Sequence, residues 1–263
     1  MKKENSHWRM PAEWEPHRAT WLAWPPRSMP ADDVFVEMVK WLHEAEEVRI
    51  LVRDIRQERE VSAKLRQAGI RSNVYLHHVR TKCVWIRDYG PTFVESASKA
   101  AAAVNWKFNA WGGKYKLLLK DRSVGGKIID IRKIKKLLPG IVLEGGSIEV
   151  NGKGLCLATE ECLLNPNRNP HLDKNGVEKY LKKYLGIRRV IWLQKGMKGD
   201  DTDGHIDCVA RFTGPRTIAA VFGRDKNDMN YQIYRDNFKQ LENERTADRS
   251  EERRVGKECR SRW

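Results

Sequence analysis

The sequence predicts an α/β fold, on two observations. Strand-like segments alternate with helix-like segments along most of the chain, and polar residues placed just before strands recur at a long, nearly regular spacing. The 263 residues can bury a large core, and a 40% apolar fraction that includes ten tryptophans is typical of a globular protein.

The N-terminal part is predicted to contain two helices and two strands. Apolar residues at helical spacing predict a helix over residues 33–47, and the short apolar run 49–52 predicts a buried strand. A charged helix is expected over residues 55–69, because Gly69 is a typical helix end, and a strand follows over residues 73–77. This alternation favours an α/β class over a helical bundle.

From Trp85 onward, the chain repeats one kind of unit. Each unit begins with a polar residue, namely Asp88, Glu144 or His205, and continues with a hairpin and a helix. The expected strands are residues 92–95, 103–108, 147–150, 155–158, 207–212 and 217–222, and the expected helices are residues 125–138, 172–185 and 230–244. The three polar residues are 56 and 61 positions apart (144 − 88 and 205 − 144), a spacing typical of blades repeated around an axis. Two sequential βαβ units would produce a similar pattern.

Residues 249–263 do not continue this pattern. Six of them are Lys or Arg, only three are apolar, and neither helical nor strand periodicity is visible. We therefore interpret residues 1–248 as the folded domain and residues 249–263 as a foreign, frame-shifted or disordered end. A solvated basic tail is the alternative.

Composition limits the function classes. The formal charge of +15 is spread over several apparent helix faces, which predicts solvated surfaces and no specific nucleic-acid partner. No run of about eighteen apolar residues is present, so no membrane contact is expected. The first residues lack signal-peptide character and the five cysteines form no CxxC pair, which favours reduced thiols in the cytoplasm.

An acidic stretch near residue 200 contains the first candidate site residues. If the chain after Gly204 is extended, His205 and Asp207 point to one face, where an imidazole beside a carboxylate suits proton transfer or metal binding. A second histidine at ligand spacing is lacking, so we predict no metal. An acidic loop with an Asp-Gly turn is the alternative interpretation.

Two other carboxylates lie beside turns. Asp88 stands between aromatic residues in the segment 85–91 (WIRDYGP), an arrangement that suits a planar cation, although a structural Arg-Asp ion pair would look the same. Glu144 follows an apolar strand and precedes Gly145 and Gly146, which predicts a carboxylate at a sharp turn or an incidental one.

Taken together, these motifs resemble the agmatine deiminase family in order and spacing, over about residues 8–248. The segments that carry the resemblance are residues 10–17 (MPAEWEPH), 20–25 (TWLAWP), 85–91 (WIRDYGP), 105–113 (NWKFNAWGG), 143–147 (LEGGS) and 202–207 (TDGHID). That family belongs to the guanidine-modifying enzymes, and its Porphyromonas-type peptidylarginine deiminase relatives share the fold. The resemblance implies a five-bladed α/β propeller, the pentein fold.

The activity implied is hydrolysis of agmatine to N-carbamoylputrescine and ammonia in putrescine biosynthesis, with no cofactor and with a homodimer as the assembly. By matching motifs, Asp88 and Asp207 hold the guanidinium of agmatine and His205 transfers protons. Glu144 orients the imidazole of His205 and raises its pKa. The remaining substrate contacts that the resemblance implies are Trp24, Trp85 and Trp111.

The sequence departs from the family at the nucleophile. The family's nucleophilic cysteine follows a Gly-Gly pair in the last blade, and the neighbours of Cys259 do not match that stretch. We therefore expect a C-terminally truncated propeller that lacks its last blade, and a chain that is inactive as a hydrolase and poorly soluble. The alternatives are a peptidylarginine deiminase, a non-catalytic guanidine-binding remnant, and a metal-dependent hydrolase that uses Asp203, His205 and Asp207.

Overall fold

The computed structural model of the protein describes residues 8–244 together with the backbone of residues 254–256. Within these residues, twelve strands form four three-stranded sheets, which helices connect and cover. The predicted α/β class is therefore confirmed. The predicted end of the folded domain at residue 248 stays a prediction.

The first sheet is entirely parallel, in the order β1-β2-β3. Its elements are β1 (Ala19–Ala23), α1 (Asp32–Leu42), β2 (Glu47–Val52), α2 (Ile55–Gln67) and β3 (Val74–His78). Helix α2 begins where the Asp54 carboxylate accepts the Gln57 backbone N–H at 3.0 Å, as expected of an N-cap. It buries Val61 and Leu65. All four elements predicted here are confirmed, although α1 ends at Leu42 and not at residue 47.

The second sheet combines an antiparallel hairpin with a parallel third strand. Its elements are α3 (Ile86–Tyr89), β4 (Thr92–Glu95), β5 (Ala101–Val104), α4 (Ala110–Gly113), a 3₁₀ helix (Lys116–Ser123), α5 (Val124–Arg132) and β6 (Lys135–Leu137). The helix predicted over residues 125–138 is wrong at its end, because Lys133 adopts a left-handed conformation (φ 52°) and β6 follows. The strand predicted over residues 103–108 lies earlier in the chain, over residues 101–104.

The third sheet repeats the same design. Its elements are a 3₁₀ helix (Gly145–Ser147), β7 (Ile148–Val150), β8 (Leu155–Thr159), α6 (Glu160–Leu163), α7 (Lys174–Leu185) and β9 (Arg189–Leu193). The predicted hairpin is confirmed, and the Asn151 side chain closes its turn by accepting the backbone N–H groups of Lys153 and Leu155. Helix α7 ends at Gly186, whose φ of 71° is a conformation that glycine adopts without strain.

The fourth sheet contains β10 (Ala210–Gly214), β11 (Thr217–Ala220) and β12 (Arg254–Gly256), with α8 (Tyr231–Asn243) between the last two strands. The strand predicted from residue 207 begins at residue 210, because Ile206–Cys208 form a 3₁₀ helix. Backbone pairing of β12 with β11 is parallel, as for the third strands of the second and third sheets.

Apolar clusters join neighbouring sheets to each other. One cluster packs the second sheet against β8 and α7, and another packs β8 and β9 against the fourth sheet and α8. Since each sheet is buried partly by the next one, polar residues at strand starts are brought towards each other. Among the described residues, no helix is both long and apolar enough to cross a membrane.

Candidate functional site

Three predicted site residues surround a single glycine. A Cβ atom on Gly146 would lie 2.4 Å from His205 Nδ1 and 2.9 Å from both Asp88 Oδ1 and Asp207 Oδ2. Asp88 lies in α3, and Gly146 lies in the 3₁₀ helix Gly145–Ser147. Asp207 lies in the 3₁₀ helix Ile206–Cys208, and His205 immediately precedes that helix. The structure thus brings together Asp88, His205 and Asp207. We call these three residues with Glu144 the acid–imidazole site.

Asp88 is almost completely buried, with 8% of its surface exposed. Its Oδ1 accepts the backbone N–H of Gly146 at 3.0 Å, and its Oδ2 accepts the indole N–H of Trp111 at 3.1 Å. Burial raises the pKa of Asp88 to about 7, opposed by the Gly146 hydrogen bond and reinforced by the negative charges of Glu144 and Asp207. Asp88 therefore titrates close to neutral pH.

His205 is buried beside two carboxylates. Its Nδ1 lies 3.9 Å from Asp88 Oδ1 and 4.0 Å from Asp207 Oδ1, and its Nε2 has no hydrogen-bond partner among the described residues. Burial lowers the pKa of His205 to about 4, although the charge of Asp200 opposes the shift. Removal of water thus outweighs nearby negative charge in the unliganded site, and the expectation that Glu144 raises this pKa stays a prediction. The imidazole is neutral at pH 7.

Glu144 is fully buried and bound to a buried arginine. Its Oε1 accepts Arg168 Nε at 2.8 Å, whereas its Oε2 has no hydrogen-bond partner among the described residues. Arg168 also donates to the carboxylate of Asp203 and to the carbonyl oxygen of Thr202. Burial raises the pKa of Glu144, and the charge of Arg168 opposes that shift. Arg168 fixes one edge of the carboxylate and leaves the other free.

The local sequence pattern does not predict Arg168 as a site residue. It lies in the segment 165–170 (NPNRNP), between α6 and α7, where alternating asparagine and proline indicate consecutive turns. An arginine inside a turn is usually solvated, so its burial could not be read from the local pattern. The repeated Asn residues were the available signal, since Asn167 accepts Arg168 Nη1 and donates to Asp203.

Asp207 is paired with an arginine of α3. Arg87 Nε lies 3.2 Å from Asp207 Oδ2, and the same guanidinium contacts Glu13 and approaches Glu149 Oε2 at 3.6 Å. Asp207 lies in a 3₁₀ helix and not in an extended strand, so the predicted strand alternation does not explain its position. Burial raises the pKa of Asp207, and Arg87 opposes the shift.

The three predicted tryptophans lie in different surroundings. Trp111 adopts a left-handed conformation (φ 53°), which turns α4 so that the indole reaches Asp88. Trp85 immediately precedes α3 and is 58% exposed. Trp24 is buried in the core of the first sheet, with its ring 5.8 Å from that of Phe35. Trp111 is brought to the carboxylates, and substrate contact by Trp24 and Trp85 stays a prediction.

A loop after Trp111 is fastened to the acidic loop that precedes His205. Lys114 pairs with the Asp203 carboxylate and donates to the carbonyl oxygen of Asp201 at 2.8 Å. Tyr115 donates its hydroxyl to Asp201 Oδ2 at 2.6 Å. These contacts hold the loop beside the acid–imidazole site.

The described cysteines are poor nucleophiles. Burial raises the pKa of Cys83 and of Cys156 to about 12, and raises that of Cys162 well above its usual value. Partial burial and the carboxylate of Asp207 raise the pKa of Cys208 to about 12. The thiol of Cys208 thus lies within hydrogen-bonding reach of the Asp207 carboxylate. Cys259 lies outside the described residues.

One group of side chains is close enough to hold a metal ion. Ligand atoms of Glu144, Cys162 and His205 lie within 4.8 Å of one another. Arg168 already occupies one oxygen of Glu144, so a metal ion there would lie close to a buried guanidinium. Asp203, which the metal alternative uses, is bound by Lys114, Arg168 and Asn167 instead. These residues do not fit a metal centre.

Comparisons with known proteins show which proteins this chain resembles. A family model described as Porphyromonas-type peptidyl-arginine deiminase matches residues 9–255. An agmatine deiminase of Ectopseudomonas mendocina (strain ymp) is 39% identical over 250 residues, which cover 90% of this chain and 67% of the relative. An agmatine deiminase of Medicago truncatula is 38% identical over 243 residues, which cover 85% of this chain and 63% of the relative.

The fold of this chain also resembles those of solved structures. The structure described as agmatine deiminase of Enterococcus faecalis catalyzing its reaction superposes with a TM-score of 0.86 at 31% identity, covering 95% of this chain and 70% of the other. The chain spans about two thirds of the length of the curated relatives that it matches.

Replacing Gly146 by alanine is expected to disrupt the site. The new methyl group would overlap His205 Nδ1, so Gly146→Ala should lower the free energy of unfolding by about 1–3 kcal/mol, as overpacking does. Gly126→Ala in α5 is the control, because a Cβ there meets nothing closer than 3.7 Å. Urea unfolding of the two variants measures the difference. Equal stabilities would contradict the packing described here.

The Glu144–Arg168 pair is expected to behave as a coupled unit. Arg168→Met leaves a buried carboxylate uncompensated and should cost about 3 kcal/mol of unfolding free energy. The double variant Glu144→Gln/Arg168→Met should cost less than the sum of the single variants, by at least about 1 kcal/mol. Urea unfolding of all four chains tests this, and additive costs would refute the coupling. If Arg168→Met does not fold, Arg168→Lys with and without Glu144→Gln provides the cycle.

Proposed function

Because the chain belongs to the Porphyromonas-type peptidyl-arginine deiminase family, we propose that the acid–imidazole site holds the guanidinium group of agmatine. The proposed reaction is hydrolysis of agmatine to N-carbamoylputrescine and ammonia, in putrescine biosynthesis. The observation that carries this proposal is the convergence of Asp88 and Asp207 on Gly146, beside an imidazole that is neutral at pH 7.

The charges of the site suit a planar cation. A guanidinium carries several donors in one plane and stays ionised at all physiological pH values, so carboxylates bind it through paired hydrogen bonds. Asp207 already accepts one guanidinium, that of Arg87, at 3.2 Å. A neutral His205 between the two acids adds no positive charge that would repel the ligand. The site thus offers negative charge from which water is largely excluded, where electrostatic attraction is strong.

We assign the proton transfers of the reaction to His205. In the proposed sequence a cysteine thiol passes its proton to the neutral imidazole of His205, and the resulting thiolate forms a C–S bond to the guanidinium carbon. The C–N bond then breaks as the imidazolium of His205 passes that proton to the leaving nitrogen, which departs as ammonia. His205 then takes a proton from water, whose oxygen attacks the same carbon and releases the ureido product and the thiolate. Negative charge close to His205, including the free oxygen of Glu144, stabilises the imidazolium while it holds that proton.

None of the described thiols suits the nucleophilic step. The raised pKa values of Cys83, Cys156, Cys162 and Cys208 keep these groups protonated at pH 7. We therefore propose that this polypeptide binds agmatine but does not hydrolyse it at ordinary rates.

The assembly and the location remain proposals of the same kind. We propose that the four sheets correspond to four blades of a five-bladed ring, since three of them repeat a hairpin followed by a parallel third strand. We propose in addition a cytoplasmic homodimer, and a domain limit near residue 248. The proposed reaction uses no cofactor.

A peptidyl-arginine substrate is the second candidate. The description of the matching family favours it, because a peptide carries the same guanidinium. Competition between agmatine and a short blocked arginine peptide, measured by calorimetry, separates the two. We expect agmatine to bind at least about tenfold tighter, since its free ammonium adds a second charge. Tighter binding of the peptide would favour the second candidate.

Agmatine binding is expected to release a proton near pH 7. Asp88 has a pKa of about 7 in the unliganded site, and a bound cation favours its ionised form. Affinity should therefore rise from pH 5.5 to 7.5, by up to about tenfold per pH unit below pH 7, and level off above. Calorimetry in two buffers of different ionisation enthalpy measures the proton. Asp88→Asn should abolish the release and weaken binding, whereas Asp236→Asn, at an exposed position of α8, should change neither.

The absence of turnover is tested on the same samples. Agmatine incubated with the purified chain should yield no thiol-dependent ammonia above the rate without protein, while calorimetry still detects binding. Ammonia release that iodoacetamide abolishes would show that one of the five cysteines acts as the nucleophile. No binding and no release together would refute the proposed guanidinium site itself.

A further inference from the structure

A second cavity of about 920 Å³ lies outside the acid–imidazole site, beside α7 and the turn between β7 and β8. Seven of its lining residues are cationic, and no carboxylate of the described residues lines it. Six of the seven, all except Arg9, come from four segments of the chain. They are Lys135 in β6, Lys153 in the β7–β8 turn, Lys179, Lys182 and Lys183 in α7, and Arg188 before β9. We call this cavity the basic cleft.

Carboxylates compensate the positive charges of the basic cleft only in part, since the charge of Lys153 also lowers the pKa of Glu15. None of the six cationic groups forms a salt bridge with a carboxylate of the described residues. Arg9, at the edge of the cleft, differs from them because Glu15 and Glu95 both bind its guanidinium. Like charges that face one hollow repel each other, so an anion that enters it is attracted by several groups at once.

Neighbouring groups hold several of these cations at the walls. The Lys135 ammonium lies 5.3 Å from the ring centre of Trp8, and the Lys183 ammonium lies 5.1 Å from that of Tyr184. Arg188 donates from Nη2 to the carbonyl oxygen of Lys153 at 2.7 Å. Since lysines cover these ring faces, the cleft offers charge to a ligand and little surface for stacking a base.

The positive surface does not continue beyond the cleft as a groove. An adjoining hollow of about 350 Å³ shares Lys179 and Lys182 but also contains the carboxylate of Glu178. In the same hollow Arg189 is bound to Glu244. A long nucleic-acid strand would need a continuous basic track. Positive charge gathered in one open surface depression favours a compact ligand of high negative charge.

We infer that the basic cleft is a binding site for a compact polyphosphorylated anion. Its six cations converge from the second and third sheets, so such a ligand links β6 to α7 and to the β7–β8 turn. The site is separate from the acid–imidazole site in residues and in sign of charge. Ligand binding therefore raises the stability of the folded chain with the logarithm of ligand concentration above the Kd.

Calorimetry with inorganic tripolyphosphate at 0.15 M salt tests the inference. Tripolyphosphate should bind at least about tenfold tighter than orthophosphate, because it meets more of the cations at once. The variant Lys153→Gln/Lys182→Gln should weaken tripolyphosphate binding about tenfold. Lys116→Gln/Lys120→Gln is the matched control, since it removes two exposed lysines of the 3₁₀ helix and changes the net charge equally. The control should change affinity less than about twofold.

Each other outcome overturns the inference. Equal weakening in the two double variants would mean that only net charge attracts the anion. Equal affinity for tripolyphosphate and orthophosphate, or no heat of binding with either, would mean that the cleft is a solvated surface. Affinity for a single-stranded oligonucleotide that exceeds that for tripolyphosphate and rises with its length would assign the surface to nucleic acid.

Discussion

The acid–imidazole site depends on the close approach of three side chains to the backbone at Gly146. The N–H of that glycine donates to Asp88, and the space where other residues carry a Cβ is filled by polar atoms of His205 and Asp207. The residue at position 146 must therefore lack a side chain, and its backbone N–H must be free to donate a hydrogen bond. The preceding Gly145 is equally constrained, since a Cβ there would lie 2.2 Å from the Arg87 carbonyl oxygen. Two successive glycines thus allow the third sheet to meet α3 without a side chain between them.

The close approach of these side chains to Gly146 buries ionisable groups, and removing their charged forms from water costs free energy. Burial raises the pKa of Asp88, Glu144 and Asp207 and lowers that of His205, so each group is shifted towards its neutral form. For the acids, folding stability falls as the pH rises from the unfolded pKa to the folded pKa and then levels off, because the unfolded chain ionises them more easily. Arg168 and Arg87 oppose this cost at two of the acids and hold them in position. A bound cation would offset the remaining cost of ionising these acids. The site therefore lowers folding stability in the same place where it favours a positive ligand.

The sequence predicted the α/β class, most elements and the residues that meet at Gly146, because carboxylates beside Gly-Gly and Gly-Pro turns carry a local signal. It could not predict Arg168, whose importance lies in long-range contacts with Glu144 and Asp203. The helix over residues 125–138 was too long because Lys133 ends it in a left-handed conformation without a glycine. His205 and Asp207 were expected to share a face of a strand, whereas a 3₁₀ helix brings them together. Their proximity was predicted for an incorrect reason, since local periodicity does not distinguish these two backbones.

A chain of net charge +15 nevertheless presents a site for a cation. The Debye length at physiological salt is about 8 Å, so distant lysines influence the approach of a ligand far less than the acids that contact it. Charges of opposite sign lie in different parts of the fold. Carboxylates lie around Gly146, whereas lysines that form no salt bridge with the described carboxylates lie on α7 and in the β7–β8 turn. Such sorting lets one domain attract ligands of opposite sign, because each surface is governed by its nearest charges. An anion in the basic cleft would lower the overall positive charge without touching the acid–imidazole site, so the two surfaces would favour each other weakly through the screened field alone.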